Sequence, residues 1–328
     1  MAALIWHPIR RLLFGLPGKP SISFDPARDI PSLADKVILI TGGAGDLGKQ
    51  LAIEYARHGP ARIYIADLPC DDGGEAVIKE IRDGAPGCGD IVRFLAIDLS
   101  SLESVRKAAA EVTAAEDRLD ILVLNAGVVL MKPDVTQDGY EMTWSINFLG
   151  HALLTKLLMP TLLQTAASTP EADVRVLAVS SEGHAMAPKG GIFFDKLKTG
   201  CSDLTYVQRY AQSKLAIIGY ARELAARHPQ IKVVSVHPGR ILTGLFRRLQ
   251  KDNLLFKYTA PITPFFCTTV ENGVKNHLWV STAPAADVVS GTYYEPVGIT
   301  GKESALARDE KLSGRLWEWT EAELARWT

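Results

Sequence analysis

Tyr210 and Lys214 stand four residues apart in "YAQSK", within a run whose apolar residues recur at helical spacing. On a helix, that spacing turns both side chains to one face. An ammonium beside a phenol favours the phenolate and lowers the tyrosine pKa from its reference of about 10. A phenol tuned in this way can exchange a proton with an alcohol or a ketone near neutral pH. Such pairs also arise by accident, so the pair needs company before it implies catalysis.

A second constellation lies at "TGGAGDLG", Thr41–Gly48, between the buried-strand run "KVILITGG" and the helical run "LGKQLAIEYARHG". Strand, glycine turn and helix form the setting in which a glycine fingerprint binds a dinucleotide. Gly43 would permit the tight turn, Gly45 the approach of backbone to pyrophosphate, and Gly48 the close packing of helix on sheet. Thr41, Gly42 and Leu47 belong to the same turn. The helix N-terminus adds N–H groups and a partial positive charge for the phosphates. Asp46 falls in the first helical turn, where it suits the dipole but lies near the cofactor's own anions. In the spacing T-G-x-x-x-G-x-G that position would be glycine. Here Gly43, Gly45 and Gly48 fit G-x-G-x-x-G instead, so the turn is expected to have changed register and still to bind.

Asp67 ends the next apolar run, 19 residues beyond Gly48. An acid there can accept hydrogen bonds from the adenosine ribose hydroxyls and repel a 2′-phosphate. NAD(H) is therefore favoured, with NADP(H) as the second choice. Asp98, followed by Leu99, ends the third run, where it would cap the next helix or meet the adenine edge.

The elements that must carry these residues follow from periodicity. After the first strand and helix come "ARIYIAD", a helix near 72–82, "IVRFLAIDLS", a helix through 105–115, and "LDILVLNAG". The second half continues with a helix over 140–164, "DVRVLAVSS", a helix over 206–227 and "IKVVSVHPG". A last run, "DVVSGTYYE", would add an edge strand. Alternating strands and helices predict an α/β fold, one doubly wound parallel sheet with helices on both faces. No linker divides the halves, so residues 1–35 read as an N-terminal arm and 36–328 as one domain.

The chain has 328 residues, 47% of them hydrophobic, and 36 basic against 37 acidic groups. That core is ample, and a net charge of −1 gives no case for nucleic acid. Four scattered cysteines without a C-x-x-C pair read as free thiols of a reducing, cytoplasmic setting. The seven histidines show no ligand spacing, so no metal is expected. The segment "MAALIWHPIRRLLFGLPGKP" has a helical apolar stripe broken by His7, Pro8 and two arginines. It is too interrupted for a span of about 20 apolar residues. The arm is expected to pack on the protein's own surface, with a shallow peripheral membrane contact as the alternative.

Taken together, the motifs resemble those of the short-chain dehydrogenase/reductase family over roughly residues 36–298. They are the glycine turn, "LNAG" at Leu124–Gly127, "SINFLGH" with Asn147, "VSSEGH", "YAQSK" and "HPGRILT". The stretch from "SSEGH" to "YAQSKLA" is most similar to the retinol-dehydrogenase-like subgroup and its fungal relatives. The resemblance implies a Rossmann fold and roles residue by residue. Tyr210 would be the general acid/base, and Lys214 would tune it and hold the nicotinamide ribose. Ser181 would bond the substrate oxygen, with Ser180 as runner-up, and Asn147 would complete a proton relay through a water. Asn125, Ala126 and Gly127 would line the cofactor, and Pro238, Gly239, Ile241 and Thr243 would border the carboxamide.

Two departures stand out, the insert between Ser181 and Tyr210 and the acid at position 46. The former is shared with the retinol-dehydrogenase-like subgroup. The expected activity is NAD(H)-dependent interconversion of a secondary alcohol and ketone, or of an alcohol and aldehyde. The loop around 245–268, rich in Leu, Phe, Tyr and Pro, predicts a hydrophobic small-molecule substrate. A secondary-metabolite intermediate leads, and a retinoid or steroid-like alcohol is the alternative. A non-catalytic NAD(H)-binding redox sensor is the rival from another class. Helices 140–164 and 206–227 carry more apolar residues than one buried face requires, which predicts a homodimer, as the family commonly pairs them.

Overall fold

The computed structural model describes residues 22–129, 131–241 and 267–327. The N-terminal stretch through residue 21, Thr243 and residues 245–266 of the expected substrate loop lie outside the described residues. Seven parallel strands form one sheet in the order β3-β2-β1-β4-β5-β6-β7. They are β1 Val37–Thr41, β2 Arg62–Asp67, β3 Val92–Ala96, β4 Ile121–Leu124, β5 Arg175–Val179, β6 Lys232–Val236 and β7 Tyr293–Tyr294. β1, β4 and β5 are buried along their whole length, as expected of strands covered on both faces. The order reverses between β1 and β4, where a crevice opens beyond the carboxyl ends of the strands.

Helices follow as α1 Pro26–Asp29, α2 Asp46–Ala56, α3 Glu75–Gly84, α4 Leu102–Ala115, α5 Met142–Trp144, α6 Gly150–Ala166, α7 Tyr206–Arg227, α8 Val270–Gly273, α9 Lys275–Thr282 and α10 Glu310–Leu324. The helix expected near 72–82 starts at Glu75. Asp72 closes a turn by accepting from Gly74 N and Ala76 N, and Gly73 and Gly74 have φ of 60° and 88°, outside helical space. The helix expected from 105 starts at Leu102 because Ser101 caps it. Asp98, the other capping candidate, instead holds Ser100 through its N–H and hydroxyl. α7 has the predicted bounds, fixed by a reciprocal capping box between Thr205 and Gln208.

The described part of the arm packs inward. Phe24, Ile30 and Leu33 are buried in the core layer that covers α2 and α9. Met142–Ala166 is long and apolar enough to cross a membrane, but 72% of its apolar window is buried inside the protein, as in a core helix. On α7 the apolar surplus is covered by α10 of the same chain, which also reaches α5 and meets α6 through the Lys156–Glu321 pair. Trp317 stacks on Tyr220 at 5.3 Å, and Trp319 meets Trp144 edge-on at 5.7 Å.

Candidate active site

The crevice begins at the turn after β1. Gly42 takes φ +64°, so the left-handed position is Gly42, where the sequence reading placed the tight turn at Gly43. A Cβ on Gly42 would also stand 2.9 Å from Ala126 Cα, so the turns after β1 and β4 nearly touch. Gly43 is glycine for space: a Cβ would meet Ile65 Cγ2 at 2.8 Å. On Gly48 a Cβ would run into Gly42 O and stand 2.7 Å from Gly43 Cα. Its close approach is therefore to the turn itself and not to the sheet. Gly45 is the N-cap of α2, with no side chain capping the helix, and Asp46 is the first helical residue. A helix start behind a glycine cradle, with no side-chain cap from its N-cap residue, fits a dinucleotide pyrophosphate, because the N-terminal end of a helix favours an anion.

Thr41 does not line the crevice. Its side chain is fully buried and accepts from Asn125 N at 2.9 Å and Ala126 N at 3.1 Å. Asn125 reciprocates by donating to Thr41 O at 2.9 Å. Leu99 is likewise a core residue, 5% exposed. Asp67 sits at the end of β2 and accepts from Ala44 N at 2.9 Å, which fastens it to the glycine turn. Leu47 and Ile241 both approach Gly273, where a Cβ would lie 2.7 Å from Ile241 Cγ1 and 3.5 Å from Leu47 Cδ1. The crevice is thus bridged from α2 to the loop of Pro238 and Gly239, with Gly239 at φ +87°.

The proton-transfer residues gather at the other end. Asn147 lies in a π-helical turn, Ser145–Leu149, between α5 and α6. Such turns recur at functional sites because they displace one side chain from the regular helix surface. Asn147 accepts from Val128 N at 2.7 Å and donates to Val128 O and Ser213 Oγ, both at 3.0 Å. Both amide hydrogens are thereby used. Gly127 leaves a gap in which a Cβ would be 3.3 Å from Asn147 Oδ1 and 3.4 Å from Lys214 Nζ.

Lys214 Nζ donates to Val179 O at 2.7 Å and lies 5.8 Å from the Tyr210 ring centroid. Burial pushes Lys214 down to about 7. The expected lowering of the Tyr210 pKa does not hold. Burial raises it, a Ser181 side-chain hydrogen bond opposes the rise, and the nearby Glu182 carboxylate adds to it. Both partners are desolvated, and burial disfavours the charged form of each.

Ser181 and Ser180 separate cleanly. Ser180 is buried and donates to Lys214 O at 2.7 Å, a structural bond. Ser181 points to Tyr210, and its carbonyl accepts from His184 Nδ1 at 2.6 Å. His184 Nε2 accepts from Ser304 N at 3.0 Å, so the serine loop is tied to the C-terminal segment. Glu182 makes a two-pronged ion pair with Arg240, at 2.6 and 3.1 Å, joining the serine loop to the Pro238–Gly239 loop.

Two residues that sequence reasoning passed over link the two ends. His151 Nδ1 donates to Asn147 O at 3.1 Å, and its Nε2 pairs with Thr41 Oγ1 at 2.8 Å. Since a carbonyl only accepts, Nδ1 carries the proton, and the threonine hydroxyl donates to Nε2. Ser213 Oγ donates to Tyr210 O at 2.7 Å, bracing Asn147 on α7. Their spacing was a visible signal, since His151 follows Asn147 by four and Ser213 precedes Lys214 by one.

A parallel doubly wound sheet, a glycine cradle at its switch point and a Ser–Tyr–Lys cluster facing it define a nicotinamide-dependent oxidoreductase. The family model described as short chain dehydrogenase matches residues 36–205. The chain belongs to the short-chain dehydrogenase/reductase family and is an oxidoreductase acting on alcohols with NAD(P). It is 36% identical to an uncharacterized oxidoreductase of Schizosaccharomyces pombe, covering 83% of this chain and 80% of that protein. It is 35% identical to the short-chain dehydrogenase/reductase drtF of Aspergillus calidoustus, covering 90% and 96%. Human retinol dehydrogenase 13 is 34% identical, covering 87% and 83%. Among solved structures, an uncharacterized protein of Mycobacterium paratuberculosis superposes with a TM-score of 0.70 at 24% identity, covering 93% and 98%. A 3-ketoacyl-(acyl-carrier-protein) reductase of Brucella melitensis, complexed with NADH, gives a TM-score of 0.59 at 22% identity, covering 81% and 98%.

Proposed function

We propose that the protein interconverts a hydrophobic secondary alcohol and its ketone, or an alcohol and its aldehyde, with NAD(H) as the favoured cofactor. The observation that carries this reading is the gathering of Ser181, Tyr210 and Lys214: a Cβ on Gly183 would stand 3.3 Å from Ser181 Oγ and 3.1 Å from Tyr210 Cε1, and Lys214 Nζ lies 5.8 Å from the phenol ring centroid. When bound, the nicotinamide supplies or accepts the hydride at its C4. Tyr210 donates its phenolic proton to the substrate oxygen during reduction and takes it back during oxidation. Ser181 gives that oxygen a second hydrogen bond, so the two hydroxyls polarise it together. Lys214, with its Nζ 5.8 Å from the tyrosine ring centroid, would hold the nicotinamide ribose. Asn147 keeps a lone pair beside the gap at Gly127, where a water could join it to Lys214.

Asp67 supports NAD(H), because its carboxylate stands where a 2′-phosphate would bring like charge against it. NADP(H) is the second choice. Gly43, Gly45 and Gly48 with the N-terminus of α2 would hold the pyrophosphate, Asp98 the adenine edge, and Asn125, Ala126 and Gly127 the middle of the cofactor. Pro238, Gly239 and Ile241 would border the carboxamide, along with Thr243. We read 36–328 as one catalytic domain, and place it in the cytoplasm, with peripheral membrane contact through the N-terminal stretch as the alternative. By the resemblance to fungal relatives a secondary-metabolite intermediate leads as substrate, and a retinoid or steroid-like alcohol is the alternative, which the likeness to retinol dehydrogenases supports. The non-catalytic reading has no support from a site that keeps Asn147, Ser181, Tyr210 and Lys214 together.

The test is NADH consumption with a panel of hydrophobic ketones and aldehydes, with products read by mass spectrometry. Alcohol formed in step with NADH lost is the expected result. NADH binding without consumption across the panel would overturn the reading.

A further inference from the structure

Helix α7 is buried at every position from Ala211 to Ala221, all the way round. A helix buried on all sides must be covered on its outer face as well as against the sheet. The cover is α10, the C-terminal helix, whose Leu316 and Leu324 are buried. Its contact with α6, α7 and the insert has the make-up of an interface, with aromatic anchors inside a polar rim. Trp317 lies flat on Tyr220, with an interplanar angle of 19°, and is backed by the Arg227 guanidinium at 4.4 Å. Trp319 packs against Tyr140, Trp144 and Phe194. Around them run Lys156 to Glu321 at 2.6 Å, Tyr140 Oη to Glu323 at 2.6 Å and Lys198 to Glu323 at 2.8 Å. The two helices come close where Gly219 faces Ser313, with a Cβ on Gly219 standing 3.0 Å from Ser313 Oγ.

We propose that α10 takes, within its own chain, the place that a second copy would take against α7. This face is closed to self-association, and the occupant is the protein's own C-terminal helix. The same contact holds α7 from behind, on the side away from Tyr210 and Lys214, so the catalytic helix is braced without a partner subunit. The inference does not rest on the substrate or cofactor proposed above, and its test does not measure turnover.

A Cβ on Gly219 would be 3.5 Å from Ser313 Cβ. Disulfides need a Cβ–Cβ separation of about 3.5–4.5 Å, so the double variant Gly219→Cys/Ser313→Cys can lock the contact. After mild oxidation, peptide mapping is expected to find the 219–313 link within a single chain of monomeric mass. A 219–313 link between two chains, or both thiols left free in the folded variant, would overturn the proposal. The wild type gives a second reading that does not depend on the variant folding. Hydrogen exchange over residues 213–227 is expected to stay constant from about 1 to about 100 µM protein. Exchange that slows as concentration rises would mean that a second copy covers this face.

Discussion

The glycine turn and the proton-transfer cluster lie at two ends of one crevice and are built on opposite plans. In the turn, the deciding feature is missing volume: Gly42, Gly43 and Gly48 each stand where a Cβ would collide with backbone or with a strand side chain. No buried charge takes part, and Asp46 is exposed. In the cluster, the side chains matter and each is held by hydrogen bonds. Asn147 makes three, Lys214 is pinned to Val179, and Ser181 is steadied through His184. The first region should therefore be sensitive to size, and to charge only at Asp67, which Ala44 N fastens to the turn. The second should be sensitive to single atoms.

The largest effect on NADH binding is expected at Gly48→Ala. The added methyl has only backbone to push against, so the turn must open. Overpacking of this kind costs roughly 1–3 kcal/mol, and the displaced turn should weaken NADH binding by more than about tenfold. A fluorescence titration with NADH checks it, and unchanged affinity would show that the turn does not form the cradle.

Asp67→Ser probes the one carboxylate of the turn region that has a task. NADH should weaken by about tenfold and kcat/KM with NADPH should rise, because the like charge near the 2′ position is removed. The ratio of kcat/KM for the two cofactors, wild type against variant, is the measurement. A wild type that already prefers NADPH would defeat the assignment.

His151 joins the two regions, and its effect should appear in stability against pH. Burial lowers His151 to about 4 from 6.5 in the unfolded chain. Between those values the unfolded state binds more protons, so stability falls as pH drops from about 6.5 towards 4. Buried His237 and His277, lowered to about 4 and about 3, act in the same direction. His151→Leu should therefore show a smaller loss of Tm between pH 7 and pH 5 than the wild type, measured by thermal unfolding. An equal loss would mean that His151 carries its proton in the folded state.

The smallest effect is expected at Asp46→Gly. The side chain is exposed at the first position of α2, and the glycines do the close packing. NADH affinity should change by less than about threefold, under 1 kcal/mol. A larger loss would give Asp46 a role in binding.

The order of elements was legible because periodicity and caps are local. The bounds of α7 follow from Thr205 and Gln208, and the glycine turn from its place between a strand and a helix. What sequence could not carry was environment. The spacing of Tyr210 and Lys214 predicts a favoured phenolate, but the sign reverses once both are buried. Thr41 and Leu99 read as cofactor contacts because they flank the motifs, although their side chains face inward. The apolar surplus on α7 was legible, but its cover was not. Trp317 lies 97 residues beyond Tyr220 and Trp319 lies 175 beyond Trp144, and only the fold brings these pairs together.

The division of labour between the two regions is tested most directly by Tyr210→Phe, with NADH affinity and single-turnover hydride transfer measured on the same preparation. Loss of the phenolic hydroxyl removes the transferable proton and no part of the glycine cradle. NADH affinity within about twofold of wild type, with hydride transfer slowed by at least about 100-fold, is the predicted result. Transfer retained above about a tenth of the wild-type rate would contradict the account, because the proton would then come from a group other than Tyr210.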